Sequence, residues 1–190
     1  MNTLADYLGG GLAIVSIGLN PSLRSVEAGF YFANPRNRFW QALNRSGLIA
    51  EPLEPARSAM ERLFEAYGMG FTDVVKRPTA GGSDLKVPDY RDWAPVLRAK
   101  LLRYRPRIAW FHGKMAYRNY LKYGEGVYGE IAWGEQSGII GSAHVFVTPN
   151  PSPANAAYSL GDLVQWYKRL KRFRDLSLRS VDPRDADQSL

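Results

Sequence analysis

Two asparagine–proline corners carry the residue types best suited to chemistry. Asn20 lies in Gly18-Leu19-Asn20-Pro21-Ser22, and Asn150 opens Asn150-Pro151-Ser152-Pro153-Ala154-Asn155. An amide side chain donates and accepts hydrogen bonds together, so Asn20 can hold a water molecule and fix its orientation. It is too weak a base to remove a proton alone. Asp73, in Phe71-Thr72-Asp73, supplies a carboxylate that can do so. Asn150 and Ser152 can bind phosphate oxygens without charge. Plainer roles stand beside these: both asparagines can simply brace the turn before proline, and Asp73 can be a surface carboxylate paired with Lys76 or Arg77. Neither corner contains GxGxxG or GxxxxGK[ST], the glycine-rich phosphate loops.

Between the corners lie further candidates. Phe30-Tyr31-Phe32 offers three rings in one loop, and a ring beside a polar cleft can stack on a flat heterocycle. Of three adjacent rings, one is expected to anchor the loop in the core and one to meet a ligand. Arg36 or Arg38, in Asn34-Pro35-Arg36-Asn37-Arg38-Phe39-Trp40, can bind a phosphate with helix-end amides assisting, or stand as a solvated charge; Phe39 and Trp40 read as core. In His112-Gly113-Lys114, Gly113 permits close backbone approach and Lys114 can meet a phosphate, while His112 reads as a helix-entry residue.

Composition narrows the partners. The 190 residues suit a single domain with a sizeable core. No cysteine is present, which removes disulfides, thiol nucleophiles and cysteine-ligated metals, and two histidines do not suggest a metal site. No cofactor is expected. No apolar run approaches the ~18 residues of a membrane span, and no targeting signal opens the chain. The expected location is the cytoplasm, near the nucleoid, and the default state is a monomer. The net charge of +7, together with abundant aromatics, favours nucleic acid over simple solubility as its meaning.

The elements that must position these groups follow from periodicity. Apolar, β-branched runs at Leu12–Ile17, Phe71–Val75, Arg107–Phe111 and His144–Thr148 read as buried strands. Helical spacing appears at Phe39–Ser46, Arg57–Tyr67, Asp89–Tyr104, Lys114–Leu121 and Leu160–Phe173, with Asp89 as a cap. Thr3–Leu8 is expected to be a short helix or arm, and Asn20–Arg36 a long loop. Short strands are expected around 131–133 and 139–140. Residues 1–176 form the expected domain, and 177–190 a polar, disordered tail. Strands alternating with helices predict an α/β fold: a three-layer α/β/α sandwich around a central, largely parallel twisted sheet. Ligands then bind outside the carboxyl ends of the strands, where both corners fall.

These motifs, in this order, resemble the mismatch-specific uracil-DNA glycosylase and thymine-DNA glycosylase family, within the uracil-DNA glycosylase superfamily. GLNPS is similar to that family's GINPG, GFYFANPRNRFW to its glycine–aromatic stretch with N-R-F-W, and VTPNPSPANAAYS to its NPSGLSR motif. FTDVVKRPT and RIAWFHGKMAY also have counterparts, and the likeness runs from Leu12 to about Phe173. The resemblance implies a monofunctional, cofactor-free glycosylase that flips uracil or another damaged base from DNA, notably from G·U mismatches, and hydrolyses its N-glycosidic bond. It implies that Asn20 positions the water, that Phe32 stacks on the base, and that Leu19 and the loop through Phe30 contact its edge. Asn150 and Ser152 would grip DNA near the lesion, with Pro153, Ala154 and Asn155 in the same motif. The chain departs from the pattern in four places: Ser22 replaces a glycine, Pro153 a glycine, Ala154 a bulkier apolar wedge, and Ala156 an arginine. A carboxylate at Asp73 is not a family feature, so its role rests on this chain alone.

Two other classes use the same residues. A non-catalytic mismatch-binding module would use the basic surface and rings without releasing a base. A nucleoside hydrolase would turn over free deoxyuridine with little sensitivity to salt.

Overall fold

The computed structural model describes residues 2–179. Within them the strands are β1 (Ile14–Gly18), β2 (Met69–Asp73), β3 (Ile108–His112), β4 (Gly134–Ile140) and β5 (Ala143–Thr148). The helices are α1 (Leu23–Ala28), α2 (Phe39–Ser46), α3 (Arg57–Tyr67), α4 (Val87–Tyr104), α5 (Lys114–Tyr120) and α6 (Leu160–Arg179). The sheet order is β2-β1-β3-β5-β4, parallel throughout except for the β4–β5 pair.

Side-chain alternation sorts the strands into two apolar faces. Ile14, Phe71, Trp110 and Phe146 join one core with α2, α3 and α6. Val15, Ile17, Phe111 and Val147 join the other with α4 and α5. Burial on both faces is why β1, apart from Ser16, and β3, up to Phe111, read as near-continuous apolar runs rather than alternating ones. The result is the expected three-layer α/β/α sandwich.

Several local expectations need correction. The long loop after Asn20 contains a helix, α1, whose N-terminus is capped by Ser22 accepting from the Ser25 amide at 3.1 Å. β2 begins two residues earlier than the apolar run suggested, and Val74 and Val75 instead hydrogen-bond back to the Gly18 and Leu19 carbonyls. Residues 131–133 are not a strand; the edge strand β4 starts at Gly134. The cap of α4 is Lys86, and Asp89 acts from inside the first turn, accepting the Lys86 amide at 2.7 Å. The N-terminal arm is extended, with Tyr7 pairing antiparallel to Phe71 along the outer side of β2. α6 runs to Arg179, beyond its expected end at Phe173; the rest of the expected tail, 180–190, lies outside the described residues.

Register fixes the functional edge. Gly18 pairs with Asp73, Ile17 with Phe111, and His112 with Thr148. Asp73, Gly18, His112 and Thr148 therefore end four neighbouring parallel strands at one level. The chain leaves β1 toward β2 and later returns to β3 on the other side of β1. That reversal opens a crevice at the carboxyl edge, the place where open α/β sheets hold ligands.

Candidate active site

A cleft of about 210 Å³ occupies this edge, and both asparagine–proline corners line it. Leu19, Asn20, Pro21 and Ser22 contribute from the first corner, and Asn150, Ser152 and Pro153 from the second. Gly113 sits between strand end and helix with φ +99°, and a Cβ there would lie 3.4 Å from Asn150. That contact is an ordinary one, and the positive φ is why glycine suits the position.

Asn20 has a fixed amide. Its nitrogen donates to the Arg77 carbonyl at 3.0 Å and to Thr79 Oγ1 at 2.7 Å. A carbonyl can only accept, so the Arg77 contact sets which end of the amide is nitrogen. Oδ1 has no hydrogen-bond partner among the described residues and is left as an acceptor. Thr79 is itself tied down: its hydroxyl donates to the Gly81 carbonyl at 2.8 Å, and its amide donates to the Pro21 carbonyl at 3.2 Å. The Arg77–Gly81 segment thus splints the first corner. The KRPT residues stood in the sequence, but no chemistry in them signalled a brace for Asn20.

Asp73 is a buried carboxylate that lines the cleft, not a surface group. Arg77 pairs with Asp89 instead, at 2.6 Å. Lys76 lies 3.6 Å from Asp73 Oδ2 but bonds Asp6 at 2.8 Å and Tyr31 at 3.2 Å. Asp6 also accepts from Thr72 and Lys100. Burial pushes Asp73 up to about 6; Lys76 opposes this, and Asp6 adds to it. Asp6 sits lower than an ordinary carboxylate, because Lys76 and Lys100 outweigh its own burial. Asp73 Oδ2 is buried and faces Lys76 at 3.6 Å without a hydrogen bond, so a residue with near-neutral affinity for protons borders the cleft with that oxygen turned into the protein.

The three loop rings divide their work. Tyr31 is buried and packs on Phe71. Phe30 turns toward Trp40 and is not among the residues lining the cleft, against its expected contact with a base. Phe32 lines the cleft and stacks on Phe39 with centroids 4.0 Å apart and planes 13° apart. It holds φ +58°, a left-handed conformation costly for a bulky residue. His112 packs edge-on against both rings and also lines the cleft. It is buried rather than a simple helix-entry residue, with Nε2 2.8 Å from Ser16 Oγ and Nδ1 unpartnered. Burial pushes it down to about 3, so the imidazole stays neutral.

The other expected contacts lie outside the cleft. Arg36 is exposed. Lys114 lies over the Trp133 ring at 4.8 Å. Ala154 is exposed at the tip of the second corner, and Asn155 braces that corner by donating from Nδ2 to the Asn150 carbonyl at 3.0 Å. Arg38 is half-buried, and most of its guanidinium is taken up by the chain itself. It holds carbonyls of Pro151, Ser152, Asn155 and Tyr158. Among the described residues, no three histidine, cysteine, aspartate or glutamate side chains gather as a metal-binding set, and no helix is long and apolar enough to cross a membrane.

A single-domain α/β/α protein with one polar, aromatic-walled cleft at the carboxyl edge of its sheet is thereby defined. Residues 6–176 match the model of the uracil DNA glycosylase superfamily, and the chain belongs to that superfamily. A solution structure of a candidate uracil DNA glycosylase from Methanosarcina acetivorans has a similar fold. Its TM-score is 0.61 at 22% identity, over 92% of this chain and 98% of that one.

Proposed function

We propose that this protein is a monofunctional DNA glycosylase that extrudes uracil, and other damaged or mispaired bases, from DNA and hydrolyses the N-glycosidic bond to leave an abasic site. The observation that carries this reading is the meeting of the Asn20 and Asn150 corners on one cleft walled by a backed aromatic ring. Membership of the superfamily and a net charge of +7 support DNA as the partner.

A base inside a duplex is out of reach, so it must be flipped, at a cost of a few kcal/mol that is least for a mispaired base. G·U pairs are favoured for that reason. The free face of Phe32 receives the base, with Phe39 behind it as a rigid support; such stacking is worth about 1–3 kcal/mol. The backbone around Leu19 faces the base edge. Asn150 and Ser152 hold the DNA near the lesion, with Arg36 and Lys114 offering charge to its phosphates.

Water supplies the oxygen that replaces the base. One water hydrogen donates to Asn20 Oδ1, and the oxygen lone pair turns to C1′ of the deoxyribose. As the C1′–N bond breaks, its electron pair leaves with the base. Oxygen bonds to C1′, and Asp73 accepts the water proton. Fixed donors near the base oxygens favour the charge that develops on the leaving group.

The deciding experiment is a panel of single-lesion duplexes and single strands scored for abasic sites and free base. Release of uracil, strongest opposite guanine, is the expected result. DNA binding without release would leave a mismatch-binding module, and turnover of free deoxyuridine would leave a nucleoside hydrolase.

A further inference from the structure

The Asn150–Tyr158 segment has no regular secondary structure, yet its carbonyls are gathered on one side chain. Arg38, at the N-terminus of α2, donates from Nε to the Pro151 carbonyl and from Nη1 to that of Tyr158. Its Nη2 reaches the Ser152 carbonyl at 2.8 Å and the Asn155 carbonyl at 2.9 Å. The Arg38 backbone amide adds a bond to the Pro151 carbonyl at 3.1 Å. Four of the five guanidinium N–H donors are thus engaged by one loop. Among the described residues no carboxylate forms an ion pair with Arg38.

The outer side of the loop is small. Pro153, Ala154, Ala156 and Ala157 are exposed, and none has a side chain large enough to fill the space of a missing base. With Asn155 tied to the Asn150 carbonyl and Tyr158 packed edge-on against Trp133, what this tip contributes to opening a duplex comes from the shape of its backbone. An unbraced chain of such residues would have to be ordered on every encounter, at the expense of binding. With its carbonyls drawn inward to one planar guanidinium fork, the tip is ordered before DNA arrives.

We propose that Arg38 is a positioning residue for base extrusion: it pre-forms the Pro151–Tyr158 loop as a rigid, narrow probe, so that loop shape stands in for side-chain bulk. This rests on the glycosylase reading above and adds a substrate consequence. A probe without bulk compensates little for a lost base pair. The protein therefore acts best where the base is already loosely held, in single strands and mismatches, and poorly on uracil paired with adenine. Dependence on Arg38 rises with the difficulty of opening: least in single strands, more in a G·U duplex.

The test uses Arg38→Met, which keeps the stem but loses the donors, and Arg38→Lys, which keeps the charge but not the fork. Single-turnover uracil release is measured from a single strand and from a G·U duplex, and amide hydrogen exchange is followed at Ser152–Tyr158. For Arg38→Met we expect duplex release to fall about 10²-fold, the scale of a displaced positioning element. Single-strand release should fall no more than about threefold, and loop amides should exchange faster while the strand amides stay protected. Arg38→Lys should lie between Met and the parent. Equal losses on both substrates would overturn the proposal, as would loop protection unchanged in Arg38→Met. The exchange measurement needs no catalysis, so it judges the brace even if the parent protein releases no base, an outcome that would sink the glycosylase reading instead.

Discussion

Asp73 and Gly18 face each other across the β1–β2 ladder so closely that a Cβ on Gly18 would lie 2.6 Å from Asp73 Oδ1. The carboxylate occupies the space that a side chain on β1 would otherwise fill. Glycine is needed here for room, not for an unusual backbone angle.

Gly18→Ala should therefore displace the Asp73 carboxylate. Crowding of this kind costs about 1–3 kcal/mol of stability, so the variant should still fold. Its single-turnover base release should nevertheless fall by ~10²-fold, as expected for a misplaced reacting group. Thermal melting beside kinetics separates the two effects; a loss of stability with full activity would free Asp73 from any need for this geometry.

Asp73→Asn should lower uracil release by ~10²-fold, the low end for a general base. The pH profile is the sharper readout. With burial pushing Asp73 up to about 6, the base is ionised above that pH and protonated below it, so parent activity should decline as pH falls through 6. His112, pushed down to about 3, cannot produce that limb. The Asn variant should have a flat profile over the same interval; a persisting limb at pH 6 would assign it to another group.

Asp6 bears on the same limb from a distance. Its charge raises Asp73, and its carboxylate holds Lys76 away as a partner. Asp6→Asn removes the repulsion and releases Lys76 toward Asp73, and both changes favour the ionised carboxylate. The acid limb should move to lower pH, with activity at pH 8 changed by less than about threefold. A shift to higher pH would mean that losing Asp6 rearranges the buried pair.

The strands were legible because burial on two faces leaves apolar, β-branched runs, as in Ile14-Val15 and Val145-Phe146-Val147. Both corners were legible because turn residues follow those runs directly. α1 was not: its six residues carry little periodicity, and it is held by its caps, Ser22 at one end and Gly29 at the other. β4 was legible only at its end, Ile139–Ile140, because an antiparallel edge strand with Gln136, Ser137 and Gly138 at its centre has no continuous apolar signal. The role of Arg38 was illegible in principle, since its carbonyl partners at Ser152 and Asn155 stand 114 and 117 residues away and any residue type presents the same carbonyl. The burial of Asp73 and His112 is likewise a product of register across β2, β1 and β3, which no local window contains.

His112 should make the protein acid-sensitive. Its folded affinity for protons is far below the ordinary value of 6.5, so the unfolded chain takes up a proton first as pH falls. Stability from this source is complete above 6.5 and declines toward 3, by on the order of a few kcal/mol. Asp73 works in the opposite sense: its raised value lets the folded state bind the proton first, which favours folding as pH falls from 6 toward 3.8. In His112→Leu only the Asp73 effect remains of the two. Denaturant unfolding at pH 7.5 and 4.5 should show a smaller acid loss in His112→Leu than in the parent; an equal loss would place the acid sensitivity elsewhere.

Asn20 presents a locked donor end and an open acceptor end, so its replacement should separate chemistry from binding. Asn20→Ala removes the acceptor that orients water and leaves the Arg77 carbonyl and Thr79 hydroxyl without their donor. Base release should fall about 10²-fold or more, the cost of losing an oriented reactant. Affinity for an abasic-site duplex should change by less than about threefold, because phosphate contacts dominate affinity for DNA and Asn20 makes none in this reading. Asn20→Asp supplies a control: the Arg77 carbonyl would face a carboxylate oxygen instead of an N–H, so the side chain should turn away and activity should not be restored. Equal losses of binding and cleavage in Asn20→Ala would make the residue a brace for the first corner, and the water would have to be held by another group of the cleft.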